Sequence, residues 1–525
     1  MSIMNGGTAL IKSLENEGVQ FVFGLPGAGQ YEATDGIYNS DQIQYITTRH
    51  EQATSYMADG YARVSGQPGV ALVVPGPGFY NTMAGLSTAY AISSPVLVVT
   101  GSPHYSHGGE HAAPTLDLLE PVCKWAGRAD SPGDVPGVIQ EAFYQLRSGH
   151  PRPVVVEIPT ETFAGEGEVS FLPSREIEKV TPDQEGLKEA ANLVAGAKKP
   201  LIWVGTGASD ASSDIRELAE FLQAPVVSSR RGKGILSHRH PLCLGMVETR
   251  FLPLTDWMST CDVILAIGVG ARFDNYRGTC KVVRIDNDVS TISRQNDHTL
   301  GVLAEANDAV SAILDFVREQ GVTRRNGVLE AVEKINDHRY GPEEQLEPQA
   351  SYMNAVRAAL PDDGMVVAGM NQMGYYSRNY FEGYQPRTYH TSSNHGTLGC
   401  VFPIAIGAKV AAPDQAVVSI SGDGGFLYNV QEIATAVKYN IGVIAIVFND
   451  NAYGNVLRAQ IEEYDNHVIG TQLCNPDFSK LGKVFGARGV KAEDADQLEA
   501  AVRDGIKTGN PTLIEVPVGM MERTY

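Results

Sequence analysis

The sequence predicts an α/β protein of three domains, each a doubly wound parallel sheet. Three observations carry that reading. Short apolar runs alternate with helix-like stretches along the whole chain, as βαβ units require. Many of these runs end in a glycine- or asparagine-bearing turn. The chain has 525 residues, about three times the size of an ordinary domain.

Taken in order, the first block reads as strand and turn in VQFVFGLPG, helix in EQATSYMADGYARVSG, strand and turn in GVALVVPGPG, and strand in SPVLVVTG. RPVVVEIPT closes it, and the polar, Pro- and Gly-bearing stretch near residues 165–185 reads as a linker. The second block opens with KKPLIWVGTGAS, passes through the helix SSDIRELAEFLQ and the strand APVVSS, and runs on to CDVILAIGVGARFDN and CKVVRIDND. Its GTGASD turn invites a dinucleotide reading, yet a Gly-rich strand-to-helix turn is as often a tight turn of such folds. FAD, another nucleotide such as ADP, or nothing in the middle domain are all left open. The charged stretch Asn336–Gln349 forms a second linker. In the third block GMVVAGMNQM, AVVSISGDGGF, IGVIAIVFNDNAYG and PTLIEVPVG repeat the strand-then-turn pattern. The first and third blocks share size and pattern, which predicts two related domains around a different middle one. Their expected extents are 1–168, 185–335 and 350–525.

Composition narrows the function classes. Apolar residues make up 43% and charged ones 19%, enough for sizeable cores and unlike a disordered chain. A formal net charge of −20 with no long basic stripe argues against a nucleic-acid partner. The N-terminal stretch MSIMNGGTALIKSLENEG lacks a signal-peptide core, and no apolar run approaches membrane-spanning length. A cytoplasmic protein with no membrane partner is expected. The six cysteines are scattered without a CxxC, which indicates neither zinc nor a disulfide framework; most are expected to be small buried side chains.

Chemistry concentrates at two strand ends. AVVSIS runs into Gly422-Asp423-Gly424-Gly425, the helix-like NVQEIATAVKYN follows, and IGVIAIVF runs into Asn449-Asp450-Asn451. This is one βαβ unit. Asp423 and Asp450, twenty-seven positions apart (450 − 423), are therefore expected at the carboxyl ends of two parallel strands, where open α/β sheets bind ligands. The glycines let the backbone approach an anion and turn N–H groups toward it. Two carboxylates and a backbone carbonyl suit Mg²⁺ or Ca²⁺, with phosphate oxygens completing the shell. Read singly, GDG is a loop and NDN a turn; the spacing, with strand, helix and strand between, favours the metal. Glu51 opens an amphipathic helix in TTRHEQATSYMADGYAR, where by itself it would complement the helix dipole.

The stretch GDGGFLYNVQEIATAVKYNIGVIAIVFNDNAYG resembles the thiamine diphosphate (ThDP) motif, in which GDG is followed a helix and a strand later by NN or ND. The resemblance extends over the whole chain and is to the acetolactate synthases and their 2-oxoacid decarboxylase relatives. It implies Asp423 and Asp450 on Mg²⁺, the Ala452 carbonyl as a further ligand, and diphosphate on Gly422, Asp423, Gly424 and Gly425. Asn371, Tyr453 and Gly454 are expected to border the cofactor. The resemblance makes Glu51 the glutamate that hydrogen-bonds N1′ of the aminopyrimidine, a buried carboxyl of raised pKa that relays a proton so that the C2 ylide forms. Pro77 and Asn81 in VVPGPGFYNTMAG fall near that ring, Asn81 thirty positions after Glu51 (81 − 51). Leu398, twenty-five positions before Asp423 (423 − 398), takes the place of the bulky residue wedged under the cofactor, and the Gly396 carbonyl would meet N4′. Ordinary core is the alternative for Leu398. GLPGAG, which contains Pro26, resembles the turn at the active-site mouth. Because Glu51 belongs to the first domain and the metal residues to the third, the resemblance implies a homodimer or homotetramer with active sites at the subunit interface.

The reaction implied is decarboxylation of a small 2-oxoacid followed by protonation or by addition to a second carbonyl, an aldehyde or another 2-oxoacid. At the positions where benzoylformate decarboxylases carry a serine and a histidine, this chain has Ala28 and Val74. Acetolactate synthases carry a Phe-Gln pair with a lysine fourteen residues beyond the Phe; EHAAPTLDLLEPVCKW keeps Lys124 but has Glu110-His111 at the pair. Lys124 is a candidate for a substrate carboxylate and His111 for a proton donor or hydroxyl orienter. For His104 and His107 a solvated loop is the preferred reading. GVGARFDNYRG is similar to the synthases' GARFDDR, but Asn275-Tyr276 follow Asp274 where the arginine that meets the second 2-oxoacid would stand, with Arg277 one place later. An acetolactate synthase-like carboligase leads; a 2-oxoacid decarboxylase, a C–C lyase, and a non-catalytic ThDP-binding paralogue are the alternatives.

Overall fold

The structure is a computed structural model that describes residues 1–102, 118–178, 180–270, 278, 280–293, 298–322, 327–392 and 395–524. Glu110 and His111, with His104, His107 and residues 274–277, lie outside the described residues.

Three six-stranded sheets, parallel throughout, form the three domains. In the first, the strands Phe21–Gly24, Gln44–Thr47, Gly69–Val73, Val96–Thr100, Trp125–Arg128 and Val154–Glu157 lie in spatial order 2-1-3-4-6-5. In the third, Met365–Ala368, Tyr389–Thr391, Val417–Gly422, Ile444–Asn449, Arg488–Lys491 and Thr512–Pro517 adopt the same order. The middle sheet, from Pro200–Val204 to Thr299–Leu303, is ordered 3-2-1-4-5-6, the dinucleotide-fold order. The pair of like domains around an unlike one follows the strand pattern of the sequence. Their inner strands are buried from end to end, as in VVSIS and IAIVFN, because helices cover both faces of a parallel sheet.

Three local features depart from the sequence reading. Within the expected first linker, Glu166–Val169 is a strand that pairs antiparallel with Ser2–Asn5; Val169 is buried and anchors it. The stretch expected as one helix after GDGG breaks into the helix Asp423–Phe426, the 3₁₀ turn Leu427–Glu432 and the helix Ile433–Lys438. Asn429 leaves helical geometry at the break (φ −131°), where its amide donates to the Gly399 carbonyl at 2.8 Å and to Gln52 Oε1 at 3.3 Å. In GTGASD, Thr206–Ala211 is a 3₁₀ turn, and a Cβ on Gly205 would stand 2.0 Å from the Gly268 carbonyl oxygen. Close packing of two turns accounts for that glycine.

The first and third domains share one core. The helix Glu51–Ser65 crosses Val401–Ala411 so closely that a Cβ on Gly60 would lie 2.0 Å from the Ile404 carbonyl oxygen, and one on Gly407 1.9 Å from that of Met57. Backbone cannot yield as a side-chain tip can. Gly60→Ala is expected to cost at least the ~1–3 kcal/mol of core overpacking, read as a lowered urea midpoint at unchanged slope. All six cysteines are free and four are buried. Among the described residues no helix is long and apolar enough to cross a membrane.

Candidate active site

Register brings the two aspartates together. Gly422 pairs with Phe448 across neighbouring parallel strands, so the next residues deliver Asp423 and Asp450 at the same sheet edge. Burial holds both carboxyls above the usual range; Asp450, with Asp423 beside it, is pushed up to about 6. Two buried like charges require a cation or a proton. Gln372 Nε2 donates to Asp450 Oδ2 at 2.8 Å, while Gln372 Oε1 accepts from Arg458 at 2.7 Å and from the Met521 amide at 2.7 Å. Asn475 Nδ2 donates to Asp423 at 2.5 Å and to Asn449 Oδ1 at 2.9 Å. Asn449 supports the turn: its Oδ1 also accepts from the Asn451 amide, and its Nδ2 donates to Glu515. Asn451 takes the left-handed conformation (φ +53°) that re-aims the chain toward Ala452.

Every third-domain residue expected to border the cofactor or its metal, from Asn371 to Gly454, lines one cavity of about 280 Å³. Asn371 also caps the helix Gln372–Tyr380, accepting from the Gly374 amide at 2.8 Å. Leu398 is a half-buried wall of that cavity, between Gly396 (φ +67°) and Gly399 (φ +80°), and not core. Elsewhere in the lining, a Cβ on Gly424 would strike the Tyr453 ring at 2.5 Å and one on Gly454 would strike Asp450 Oδ2 at 2.3 Å.

A second group gathers at the carboxyl ends of the first sheet. Glu51, half-buried in the single chain where full burial was expected, begins its helix. Asn81 Nδ2 donates to Glu51 Oε2 at 3.0 Å. Pro77 is the first residue of the short helix Pro77–Asn81, entered through Gly76 at φ +67°. A Cβ on Gly78 would meet Val74 Cγ2 at 2.4 Å and Glu51 Oε1 at 3.3 Å, and one on Gly27, next to Pro26, would meet Val74 Cγ1 at 2.6 Å. Pro26, Glu51, Pro77 and Asn81 thus share one neighbourhood, and none of them lines the third-domain cavity of their own chain.

Three family models match these three units: "Thiamine pyrophosphate enzyme, N-terminal TPP binding domain" over residues 4–120, the central domain over 187–313, and the C-terminal TPP binding domain over 368–516. A probable acetolactate synthase large subunit of Methanocaldococcus jannaschii is 32% identical, the match covering 99% of this chain and 93% of the relative. The chain belongs to the thiamine pyrophosphate enzyme family. The acetolactate synthase large subunit of Haemophilus influenzae is 30% identical over 100% of this chain and 96% of its own length. A probable 2-ketoarginine decarboxylase of Pseudomonas aeruginosa is 31% identical over 98% and 94%.

The site of this thiamine pyrophosphate enzyme fits its cofactor by two observations. Asn475 Oδ1 is buried beside Asp423 without a hydrogen-bond partner, an oxygen suited to a cation or its bound water. The donors gathered there, two carboxylates with amide oxygens and the Gly422–Gly425 turn, are the hard set that a dication and a diphosphate take together. Among the described residues no group of three or more His, Cys, Asp and Glu forms; a dication held here would take its other ligands from carbonyls, water and phosphate.

Lys124, expected at a substrate carboxylate, spends its ammonium elsewhere: Nζ donates to the carbonyls of Gln145 at 2.8 Å and Ser148 at 2.6 Å, at the end of the helix Val135–Arg147. The geometry makes it a helix cap. Sequence reasoning missed Gln372 and Asn475. Gln372 was within reach, since it follows Asn371 at a helix start; Asn475 carries no local signal.

Glu432, also missed, holds the turn before Glu51. It accepts from the Arg49 amide at 3.0 Å and from Thr435 Oγ1 at 2.7 Å, and burial pushes its carboxyl up to about 7. The folded state therefore favours the protonated form. That stabilising contribution is present below pH 4.5 and is lost as pH rises to about 7, with an upper bound on the order of 3 kcal/mol. Glu432→Gln is expected to flatten the fall of Tm between pH 5 and 7.5; curves parallel to the unsubstituted enzyme would count against it.

Proposed function

We propose that this enzyme decarboxylates a small 2-oxoacid and joins the remaining acyl unit to a second carbonyl compound, with Mg²⁺ held by Asp423, Asp450 and the Ala452 carbonyl. Bound ThDP would supply a nucleophilic carbon and a cationic ring that accepts the electron pair left behind when CO₂ departs. The chain's own groups do the rest. Glu51 exchanges a proton at aminopyrimidine N1′, and Asn81 fixes the Oε2 of that carboxyl. Leu398 and the Gly396 turn shape the wall that the cofactor rests on. Gln372 offsets the charge that Asp450 adds.

The observation that carries ligation over simple decarboxylation is Val74. The side chain packed toward Glu51 through Gly78 is apolar, so it offers no proton where the benzoylformate decarboxylases carry a histidine. Pyruvate incubated with and without an aldehyde or a second 2-oxoacid tests this. An acyloin or acetohydroxy acid as main product is expected, and free acetaldehyde in both incubations would return the reading to a decarboxylase, the activity in the name of the Pseudomonas relative. Cleavage of added acyloin without net ligation would favour a lyase.

The proposal extends to a homodimer or homotetramer. Its support is that the Glu51 neighbourhood and the third-domain cavity share no lining residue within one chain; a second copy would bring the two halves face to face.

A further inference from the structure

The side-chain amide of Gln372 has two unlike ends, an NH₂ that donates and an oxygen that accepts. Only the first suits Asp450, because an ionised carboxylate offers no proton. Gln372 is the first residue of the helix Gln372–Tyr380, and its Nε2 donates to Asp450 Oδ2 at 2.8 Å. Turned over, the amide would set oxygen against oxygen in a site where unpaired polar contacts are costly.

The groups behind Gln372 fix its orientation. Arg458, in the helix Gly454–Glu462, donates from Nη2 to Gln372 Oε1 at 2.7 Å. The same nitrogen donates to the Met521 carbonyl, and the Met521 amide donates to Gln372 Oε1 at 2.7 Å. Three hydrogen bonds thus close a ring of Gln372, Arg458 and the backbone of Met521. A guanidinium has donors and no acceptor, so Arg458 tolerates only the oxygen end of the amide and leaves Nε2 to Asp450. Gly454 makes room for that contact, since a Cβ there would stand 2.3 Å from Asp450 Oδ2 and 3.0 Å from Gln372 Nε2. Arg458 is 6% exposed. Among the described residues its other partners are distant: Asn455 Oδ1 at 3.5 Å, and Glu462 Oε1, on a half-exposed side chain, at 4.0 Å. A pair of that kind takes up little of the guanidinium's charge.

We propose that Arg458 is a positioning residue of the metal site: acting through Gln372, it keeps a donor on Asp450 and supplies the positive charge that fits this site to a carboxylate at that position. The inference rests on the reading above that Asp450 holds Mg²⁺, and it concerns how that ligand is set. Asp423, Asp450 and a diphosphate are all negative, and a buried positive charge behind Asp450 offsets part of their repulsion. Asp450→Asn reverses the need. The introduced amide can donate to Gln372, which then serves better with its oxygen forward, the orientation that Arg458 opposes.

A double-variant cycle tests this. Full-length protein freed of cofactor with a chelator is titrated calorimetrically with ThDP at fixed Mg²⁺, so that binding is read and not turnover. Arg458→Met is expected to weaken binding at least about tenfold, the scale of one charge-assisted hydrogen bond lost. Arg458→Lys, which keeps a charged donor, should recover most of it. In the Asp450→Asn background, Arg458→Met should lower affinity by less than about twofold, or raise it, since the coupled partner is gone. Equal losses in the two backgrounds would mark a packing role and overturn the inference while leaving the metal reading in place, as would an affinity that Arg458→Met does not change. If Arg458→Met does not fold, Gln372→Met carries the same cycle, because Arg458 then keeps its bond to the Met521 carbonyl; a larger loss with Asp450 than in the Asp450→Asn background is expected, and equal losses again overturn the inference. Undiminished binding in Asp423→Ala would overturn the metal reading and this inference with it.

Discussion

Replacing Glu51 with glutamine should leave ThDP bound and remove turnover by about 10²–10⁴-fold, the usual contribution of one positioned proton-transfer group. The substitution is nearly isosteric, so the helix start and the fit of the side chain beside Gly78 are preserved. The introduced amide oxygen can still accept from Asn81, whose Nδ2 lies 3.0 Å from Glu51 Oε2. What disappears is a group able to take up and return a proton. Two measurements separate chemistry from binding: titration of the variant with ThDP and Mg²⁺, and exchange of the cofactor's C2 proton followed by NMR. Affinity within a few-fold of the unsubstituted enzyme and exchange slowed together with kcat are expected. Full-rate exchange in the variant would sink the proton-relay role, whatever happened to kcat.

The second large effect is expected at Asp423. It is 2% exposed, it begins the turn on which the diphosphate would rest, and Asn475 is fixed on it. Asp423→Ala removes the buried carboxylate that is proposed to hold the metal and leaves Asp450 and Asn475 facing a gap. Losses of this kind cost on the order of 2–5 kcal/mol, so Mg²⁺-dependent ThDP affinity should fall by at least ~30-fold. Asp450→Asn is the informative companion: it keeps an oxygen ligand and lowers the charge by one, so its loss should be several times smaller. Titration of both variants with ThDP at fixed Mg²⁺ checks the order. Equal losses, or a larger one for Asp450→Asn, would remove Asp423 from its place as the principal metal ligand.

Much of the fold was legible because parallel sheets announce themselves: buried strands such as VVSIS and IAIVFN are apolar but for small serines and lead into glycine or asparagine. The aspartate pair was legible for the same reason, since strand, helix and strand fix where Asp423 and Asp450 emerge. Features that depend on distant segments were not. Asn475 reaches Asp423 across 52 positions. Lys124 looked free because a sequence does not show that its ammonium meets the last carbonyls of the following helix. Asn429 breaks its helix for a carbonyl thirty residues away, which no local propensity encodes.

The glycine-to-backbone contact between Glu51–Ser65 and Val401–Ala411 bears on how the protein is made. The first helix leaves the ribosome about 340 residues before its partner. At ~5–20 residues per second that interval is roughly 20–70 s. Throughout it the nascent first domain carries an incompletely covered apolar ridge around Tyr56 and Met57, whose buried cluster the last third of the chain completes. A chaperone that shields this ridge during synthesis should therefore raise the yield of active enzyme more than one added after release.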